Sequence, residues 1–173
     1  FTGKPLVPRR CGMIVHDFPA GVGIRRHRGS ERGTMPVIGA NGATIDYADT
    51  GGEGAPLVLI HGWLGSWDDL LPEFDWLRAG GYRVLAPSRR GYARSGPKPR
   101  DYPRDFYRRD AEDLAAWLDA LDVRGAHIVG YSDGGEVALL LPIIRPDLVR
   151  SVVTWGAVGH FTPDLRVFVH RKY

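Results

Sequence analysis

The sequence predicts an α/β fold with a mostly parallel sheet flanked by helices, and two observations lead to this prediction. A hairpin signal, Asn41-Gly42, lies between two strand-like segments at the start of the regular part of the chain. After it, short apolar runs alternate with segments of helical periodicity, the order typical of a parallel sheet joined by right-handed crossovers. The 173 residues are 43% hydrophobic and 25% charged, which is average for one globular domain with its own core.

Strands are predicted wherever an apolar or alternating run is bounded by turn residues. The hairpin strands are Val37-Ile38 and the segment 44–49. A four-residue apolar run at 57–60, between Pro56 and Gly62, is short enough to be a strand buried on both faces. The remaining strands are predicted at 83–86, 127–130 and 149–155.

Helices are predicted where apolar residues recur at helical spacing. They cover 67–78, which stops at Gly80-Gly81, then 103–121, which Pro103 opens, and 134–144. Arg108/Glu112 and Arg109/Asp113 have the spacing of i,i+4 ion pairs on the second of these helices. Seven arginines lie from Arg89 to Arg109, and the acids around them favour a solvated, ion-paired surface over a polyanion site.

Residues 1–35 differ in composition from the rest of the chain. They carry seven basic and two acidic side chains, a net charge of +5, whereas residues 36–173 have a net charge of −2. They are rich in Gly and Pro without periodicity, which predicts a disordered basic leader. A nucleic-acid arm, a targeting segment, and a true start at Met35 remain alternatives. We expect 36–158 to form the core and 159–173 to begin a cap or lid.

Several function classes are disfavoured by what the sequence does not contain. Cys11 is the single cysteine, so disulfide frameworks and Cys-rich zinc sites are excluded, and a reducing, cytoplasmic setting is expected. No apolar run has the roughly 18 residues of a membrane span. No metal-ligand cluster, phosphate-binding loop or dinucleotide motif stands out, so the sequence implies no cofactor and no metal. We expect neither nucleic acid nor membrane as a partner.

The residues expected to carry chemistry form the G-x-S-x-G string Gly130-Tyr131-Ser132-Asp133-Gly134-Gly135. It joins a predicted strand to a predicted helix, the context in which a serine occupies a strained turn as a nucleophile. The glycines around Ser132 leave room where a Cβ would crowd the turn. One alternative makes Ser132 the N-cap of the helix. A nucleophilic Asp133 is disfavoured because Tyr131 would then replace the upstream glycine.

A serine that attacks a carbonyl needs donors for the resulting oxyanion. The backbone N–H of Asp133, at the positive end of the helix, is the first candidate. The second is the N–H of Trp63, in the turn His61-Gly62-Trp63-Leu64-Gly65 after a predicted parallel strand, where open α/β sheets form binding crevices. His61 itself stands at the strand end, where a loop-shaping role, shared with Gly62, is favoured over that of general base.

Four segments together resemble the first half of an α/β-hydrolase-fold serine hydrolase: 61–65, 90–95, 130–135 and 153–157. Within that family the sequence is most similar to the valacyclovir hydrolase (biphenyl hydrolase-like) branch, which has a similar Ser-Asp-Gly-Gly string and a helix resembling 101–107. The likeness covers about residues 37–160. It implies attack of Ser132 on small-molecule esters, with the N–H groups of Trp63 and Asp133 as oxyanion hole. Many relatives have an aspartate where this chain has Ser88, which we interpret as tolerated variation in a loop.

The resemblance also implies the chain order serine, acid, histidine. The chain ends 41 residues after Ser132, so we expect the acid and the histidine to be absent from it. Asp164 and His170 are too close in sequence to be a compressed pair, and His127 and His160 have weaker claims. The alternative to an esterase fragment is a non-catalytic, truncated hydrolase that binds or oligomerises. We expect self-association through the sheet edge formed by 149–155.

The side chain of Asp133 needs its own explanation, because a carboxylate beside the nucleophile repels the anionic intermediate. A cationic substrate would offset this repulsion. We therefore expect, in line with the resemblance, that Asp133 binds the α-ammonium of an amino-acid ester. The alternative is an interaction of Asp133 with the N-terminus of its own helix.

Overall fold

The computed structural model of the protein describes residues 36–70 and 76–159. Its strands are β1 (Val37–Ala40), β2 (Ala43–Asp49), β3 (Ala55–Ile60), β4 (Tyr82–Pro87), β5 (Ala126–Tyr131) and β6 (Val149–Trp155). Its helices are α1 (Phe106–Ala120) and α2 (Asp133–Ile144), with 3-10 turns at Trp67–Leu70 and Pro146–Leu148. A helical segment also covers 76–79.

The strands form one sheet in the order β1-β2-β4-β3-β5-β6. The β1–β2 hairpin is antiparallel, and its turn residues Asn41 and Gly42 have φ of 48° and 71°, as a tight hairpin turn requires. β2 pairs antiparallel with β4, whereas β4, β3, β5 and β6 are parallel to one another. The predicted fold class, a mostly parallel α/β sheet that begins with a hairpin, is confirmed.

The hydrophobic core occupies both faces of the central strand β3. Val58 and Ile60 belong to a cluster that also contains Trp117 of α1. Leu57 and Leu59 belong to a second cluster, together with Leu77 from the segment after the Trp67–Leu70 turn. Alternate residues of a strand point to opposite faces, so a continuous apolar run is what a strand covered on both sides needs.

The predicted helix boundaries are corrected in two places. Within the predicted helix 67–78, Trp67–Leu70 is a 3-10 turn and 76–79 is helical, while 71–75 lies outside the described residues. Helix α1 begins at Phe106 rather than Pro103, because the chain first makes a turn in which the Phe106 N–H donates to the Pro103 carbonyl at 3.1 Å. No helix in the described part has the length and apolar character to cross a membrane.

The prediction of a solvated arginine surface is wrong for the loop after β4. Arg89 and Arg90 are 1% and 8% exposed, and the side chain of Arg100 is 5% exposed. All three form ion pairs with buried carboxylates of α1. A buried charge is stable only when it is paired, so these arginines belong to the interior of the loop–helix contact.

The two predicted i,i+4 pairs on α1 have different outcomes. Arg108 and Glu112 pair at 2.9 Å, as predicted. The pair Arg109–Asp113 does not form: Arg109 binds Asp101 at 2.7 Å, while Asp113 faces inward and binds Arg90 at 2.6 Å. The leader 1–35, with Cys11, and the segment from His160 onward, with Asp164 and His170, lie outside the described residues.

Candidate active site

Ser132 occupies the sharp turn between β5 and α2. Its backbone has φ 52° and ψ −121°, a left-handed conformation that non-glycine residues avoid. The turn is held by two hydrogen bonds, from the Ser132 N–H to the Trp155 carbonyl at 2.9 Å and from the Gly135 N–H to the Ser132 carbonyl at 2.8 Å. The Ser132 side chain makes no capping hydrogen bond, which argues against the N-cap alternative.

The glycines around Ser132 permit close backbone contacts that a side chain would block. A Cβ on Gly130 would lie 2.4 Å from the Gly134 carbonyl oxygen, and one on Gly134 would lie 2.3 Å from the Ile60 carbonyl oxygen. A Cβ on Gly135 would lie 2.8 Å from the Cβ of Ala157. The start of α2 therefore packs directly against the ends of β5 and β3.

The turn after β3 lies beside Ser132. A Cβ built on Gly62 would be 3.3 Å from the Ser132 Cβ and 3.0 Å from the Tyr131 ring. The Gly62–Trp63 peptide thus lies next to the β5–α2 turn that carries Ser132, which we call the elbow. Asp133 is the first residue of α2, where a backbone N–H has no intrahelical acceptor. Both proposed oxyanion donors therefore belong to backbone segments that border Ser132.

His61 is buried behind this turn, and both its ring nitrogens are engaged. Nε2 accepts the Arg89 backbone N–H at 2.9 Å, and Nδ1 lies 2.8 Å from the Gly62 carbonyl oxygen. Burial, followed by the nearby charge of Arg89, lowers the pKa of His61 to about 3. These contacts are those of a neutral ring that fixes a loop and leave no nitrogen for the Ser132 proton.

His127 is the other histidine within the described ranges. It lies near the amino end of β5, in register with Leu57 of β3 and Ser151 of β6, whereas Ser132 follows the carboxyl end. Its Nδ1 lies 2.7 Å from the Ser151 hydroxyl. Neither histidine in the described ranges is positioned as a general base for Ser132.

Asp133 faces α1 rather than its own helix N-terminus. Its Oδ1 accepts the Tyr107 hydroxyl at 2.7 Å, while Oδ2 is buried and has no hydrogen-bond partner among the described residues. Burial, followed by the hydrogen bond to Asp133, raises the pKa of Tyr107 above its ordinary value, so the phenol keeps the proton that it donates. Sequence reasoning did not identify Tyr107; its only signal was its place in the segment 101–107.

A row of aromatic rings connects the turn after β3 to this carboxylate. The Trp63 and Tyr102 rings stack with centroids 5.1 Å apart, and Tyr102 meets Phe106 at 5.5 Å. Phe106 in turn lies 4.0 Å from Tyr107. The row gives this side of the site an apolar wall that also suits a cation, because ring faces attract positive charge.

Glu136, one turn into α2, is a further polar residue that the sequence reasoning missed. Its Oε1 accepts the backbone N–H groups of Val158 at 2.6 Å and Gly159 at 2.9 Å. The carboxylate thereby attaches the loop after β6 to the helix that carries Asp133. Within 36–70 and 76–159, no three His, Cys, Asp or Glu side chains are grouped to hold a metal ion.

Comparison with known proteins finds similar sequences and similar solved structures. The mouse (Mus musculus) protein named Serine hydrolase BPHL is 34% identical over 137 residues, which cover 78% of this chain and 47% of that protein. A non-heme chloroperoxidase of Streptomyces lividans is 40% identical over 124 residues, 70% of this chain and 44% of that protein. The crystal structure of the epoxide hydrolase VrEH1 from Vigna radiata superposes with a TM-score of 0.62 at 25% identity, covering 69% of this chain and 38% of that chain.

These matches cover most of this chain but only part of each relative. The chain spans about half the length of the curated relatives it matches. The family model described as the alpha/beta hydrolase fold matches residues 55–172, most of the chain. On this evidence, the chain belongs to the α/β-hydrolase-fold family.

Proposed function

We propose that the protein is a serine hydrolase that acts on carboxylic esters through an acyl-enzyme on Ser132. The observation that carries the proposal is the left-handed backbone of Ser132 at the end of β5. Such a conformation costs about 1–3 kcal/mol and persists where the surrounding structure imposes it, which is common at active sites. The similarity to the protein named Serine hydrolase BPHL supports a serine-dependent hydrolysis.

The proposed reaction follows from this geometry. The Ser132 oxygen forms a bond to the ester carbonyl carbon and gives its proton to a general base. The N–H groups of Trp63 and Asp133 stabilise the oxyanion, the alcohol leaves with that proton, and water then releases the acid and restores the serine. Neither His61 nor His127 is positioned as this base, and we therefore propose a base from outside the described residues.

The test is the Ser132→Ala variant of the complete gene product, assayed with p-nitrophenyl acetate and butyrate. Turnover should fall at least about a thousandfold, because the parts of such a catalytic unit fail together. Ser151→Ala is the matched control, since Ser151 lies near the amino end of β6, away from the Trp155 end that contacts Ser132, and binds His127. An alanine variant that kept most of its turnover would reduce Ser132 to a structural turn.

The second candidate is a non-catalytic member of the family that binds or oligomerises. Two exposed apolar side chains of β6 favour it, Val153 at 57% and Trp155 at 52% exposure. The DNA downstream of Tyr173 discriminates the two. A frame that continues into a strand, an aspartate loop and a histidine loop supports the hydrolase. An immediate stop codon, with no ester hydrolysis by the protein, supports the binding module.

The finer part of the proposal is a preference for α-amino-acid esters. Asp133 Oδ2 is a buried carboxylate oxygen without a hydrogen-bond partner in 36–70 and 76–159, a state that costs free energy unless a donor binds it. A substrate ammonium would supply that donor, and the ring faces from Trp63 to Tyr107 would border it. The Tyr107 hydrogen bond leaves Oδ1 occupied and Oδ2 for the substrate.

This preference is tested with two p-nitrophenyl esters that differ only in the α-ammonium, those of phenylalanine and of 3-phenylpropionic acid. A charge-assisted hydrogen bond is worth roughly 1.5–3 kcal/mol. Asp133→Asn should therefore lower kcat/KM for the amino ester about tenfold to a hundredfold more than for the other. Equal losses on both esters would assign Asp133 a structural role and leave the substrate class open.

A further inference from the structure

The carbonyl oxygen of Gly62 receives two side-chain contacts in the interior of the protein. His61 Nδ1 lies 2.8 Å from it and Arg89 Nη2 lies 3.0 Å from it. Both side chains are buried. This carbonyl and the N–H of Trp63 belong to one planar peptide unit, so whatever fixes the direction of the C=O also fixes the direction of the N–H.

The chemistry of His61 identifies both contacts as hydrogen bonds donated to Gly62. The Arg89 backbone N–H, which can only donate, points at Nε2 at 2.9 Å. Nε2 is therefore the acceptor, and the proton of the neutral ring is on Nδ1. The pKa of His61, lowered to about 3, keeps the ring in this form at neutral pH.

Arg89 is itself held in place from helix α1. Its Nη1 binds Asp110 Oδ2 at 3.2 Å, and both groups are fully buried. Asp110 also accepts two hydrogen bonds from Arg100, at 2.7 and 3.2 Å. The fork of the guanidinium thus connects a carboxylate of α1 to the peptide beside Ser132.

We propose that Arg89 is a positioning residue that keeps the Gly62–Trp63 peptide oriented with its N–H toward the oxyanion. The inference rests on the proposed function of Ser132. Position 62 is a glycine in a tight place, where a Cβ would lie 3.0 Å from the Tyr131 ring and 3.3 Å from the Ser132 Cβ. Glycine is also the residue whose flanking peptides rotate most freely. An oxyanion hole works only if its donors are already aimed, and a rotated peptide would present a carbonyl instead.

The first experiment measures kcat and KM of Arg89→Met in the complete gene product with p-nitrophenyl butyrate. We expect kcat to fall about tenfold to a hundredfold, because loss of a whole oxyanion donor costs about a hundredfold to a thousandfold and His61 still holds the carbonyl. KM should change less than about threefold, since the ground-state ester does not depend on this donor. Asp110 keeps Arg100 as its partner, so no buried charge is left alone.

The matched control is Arg90→Met, the neighbouring residue in the sequence. Arg90 is also buried and bidentate to a carboxylate of α1, Asp113, at 2.6 and 2.7 Å. Its other hydrogen bond goes to the Asn41 carbonyl at 3.0 Å in the β1–β2 turn, not to Gly62. We expect kcat of Arg90→Met to stay within about twofold of wild type. Equal losses of kcat in the two variants would overturn the proposal.

Arg89→Lys provides a second variant in case Arg89→Met folds poorly. It keeps the charge opposite Asp110, but an ammonium has no planar fork to hold two acceptors in this geometry. The same loss of kcat with unchanged KM is expected. Wild-type kcat in a folded Arg89→Lys or Arg89→Met protein would contradict the positioning role.

A second measurement needs no turnover. In ¹⁵N–¹H NMR spectra, the Trp63 amide signal should broaden or split in Arg89→Met, as the peptide samples two orientations, and stay single in Arg90→Met. A single, unshifted Trp63 signal in Arg89→Met would overturn the inference even if activity fell. Full turnover in Ser132→Ala would instead contradict the proposed function, and the NMR result on the Gly62–Trp63 peptide would still stand.

Discussion

At the scale of single residues, the backbone conformation of Ser132 distinguishes it from an ordinary helix cap. The residue has φ 52° although it is not a glycine, and its N–H is anchored to the Trp155 carbonyl. A helix cap would place the residue in an extended conformation with its hydroxyl on an N–H of the first turn, and neither feature is present here. The turn is therefore maintained against a local conformational cost.

Because of this conformational cost, we expect the glycine variant at position 132 to be more stable than the alanine variant, the reverse of the usual order. The unfolding free energy of Ser132→Gly should exceed that of Ser132→Ala by about 1 kcal/mol, because glycine has no Cβ to strain at positive φ. Ser132→Gly should therefore unfold at a higher urea concentration. At Ser151, within strand β6, the order should be the ordinary one, with the alanine variant more stable than the glycine variant. The same order at both positions would mean that the elbow stores no backbone strain.

His61 predicts a specific acid sensitivity. Its pKa is about 3 in the folded protein and 6.5 ordinarily, so between these values the unfolded chain binds a proton that the folded protein does not. The unfolding free energy therefore falls as the pH drops through this window, by about 2 kcal/mol between pH 7 and pH 5. Urea unfolding of His61→Gln should show a flatter dependence on pH, from a lower value at pH 7. Equal pH dependence in the wild-type protein and His61→Gln would contradict this acid sensitivity of His61.

At the scale of elements, the join between β5 and α2 depends on backbone contact. The start of α2 approaches β3 so closely that Gly134 meets the Ile60 carbonyl, and Gly130 meets Gly134. These contacts connect the turn at Ser132 to β3, and the turn that begins at His61 follows the end of the same strand. The geometry of the site is therefore set by the packing of three elements.

Gly130→Ala and Gly134→Ala should each lower the unfolding free energy by about 3 kcal/mol or more, because the added methyl would meet backbone atoms that cannot move aside. The matched control is Gly39→Ala, where a Cβ would have nothing within 4 Å. That change should stay within about 1 kcal/mol of wild type. Urea unfolding curves of the three variants provide the measurement. Similar losses at all three positions would contradict close packing at the elbow.

The elements that could be predicted from sequence are those whose signal is local. The apolar run 57–60, the Asn41-Gly42 turn and the glycines around Ser132 each determine their own neighbourhood. The buried ion pairs could not be predicted in this way. Arg89 and Asp110 are 21 residues apart, and the burial of both follows from how the loop after β4 meets α1. The contact of Tyr107 with Asp133 likewise depends on two helices meeting.

At the scale of the whole molecule, the β6 end of the sheet combines an unpaired strand edge, among the described strands, with apolar surface. β6 pairs only with β5 among the described strands, and its Val153 and Trp155 side chains are about half exposed. Trp155 and Tyr131 also line an apolar cavity of about 210 Å³, together with Leu59 and Val129. Unpaired strand edges beside apolar surface promote association.

We therefore expect residues 36–173 to self-associate through β6 at micromolar concentration. Val153→Lys should shift the protein toward monomer in sedimentation velocity, because a charged side chain on an edge strand opposes pairing. Val37→Lys, on the strand at the opposite end of the sheet, should leave the association unchanged. A wild-type segment that sediments as one monomeric species and melts cooperatively would contradict this expectation.

The hydrogen bond between the Ser132 N–H and the Trp155 carbonyl also orders events in time during synthesis. A ribosome releases the chain from its amino end, so β5 and α2 emerge before β6 does. Until Trp155 has left the exit tunnel, the serine turn lacks the acceptor that fixes it. We expect a nascent chain that has emerged as far as Ile144 to carry Gly130, Gly134 and Gly135 but to lack the Trp155 carbonyl that anchors the Ser132 N–H.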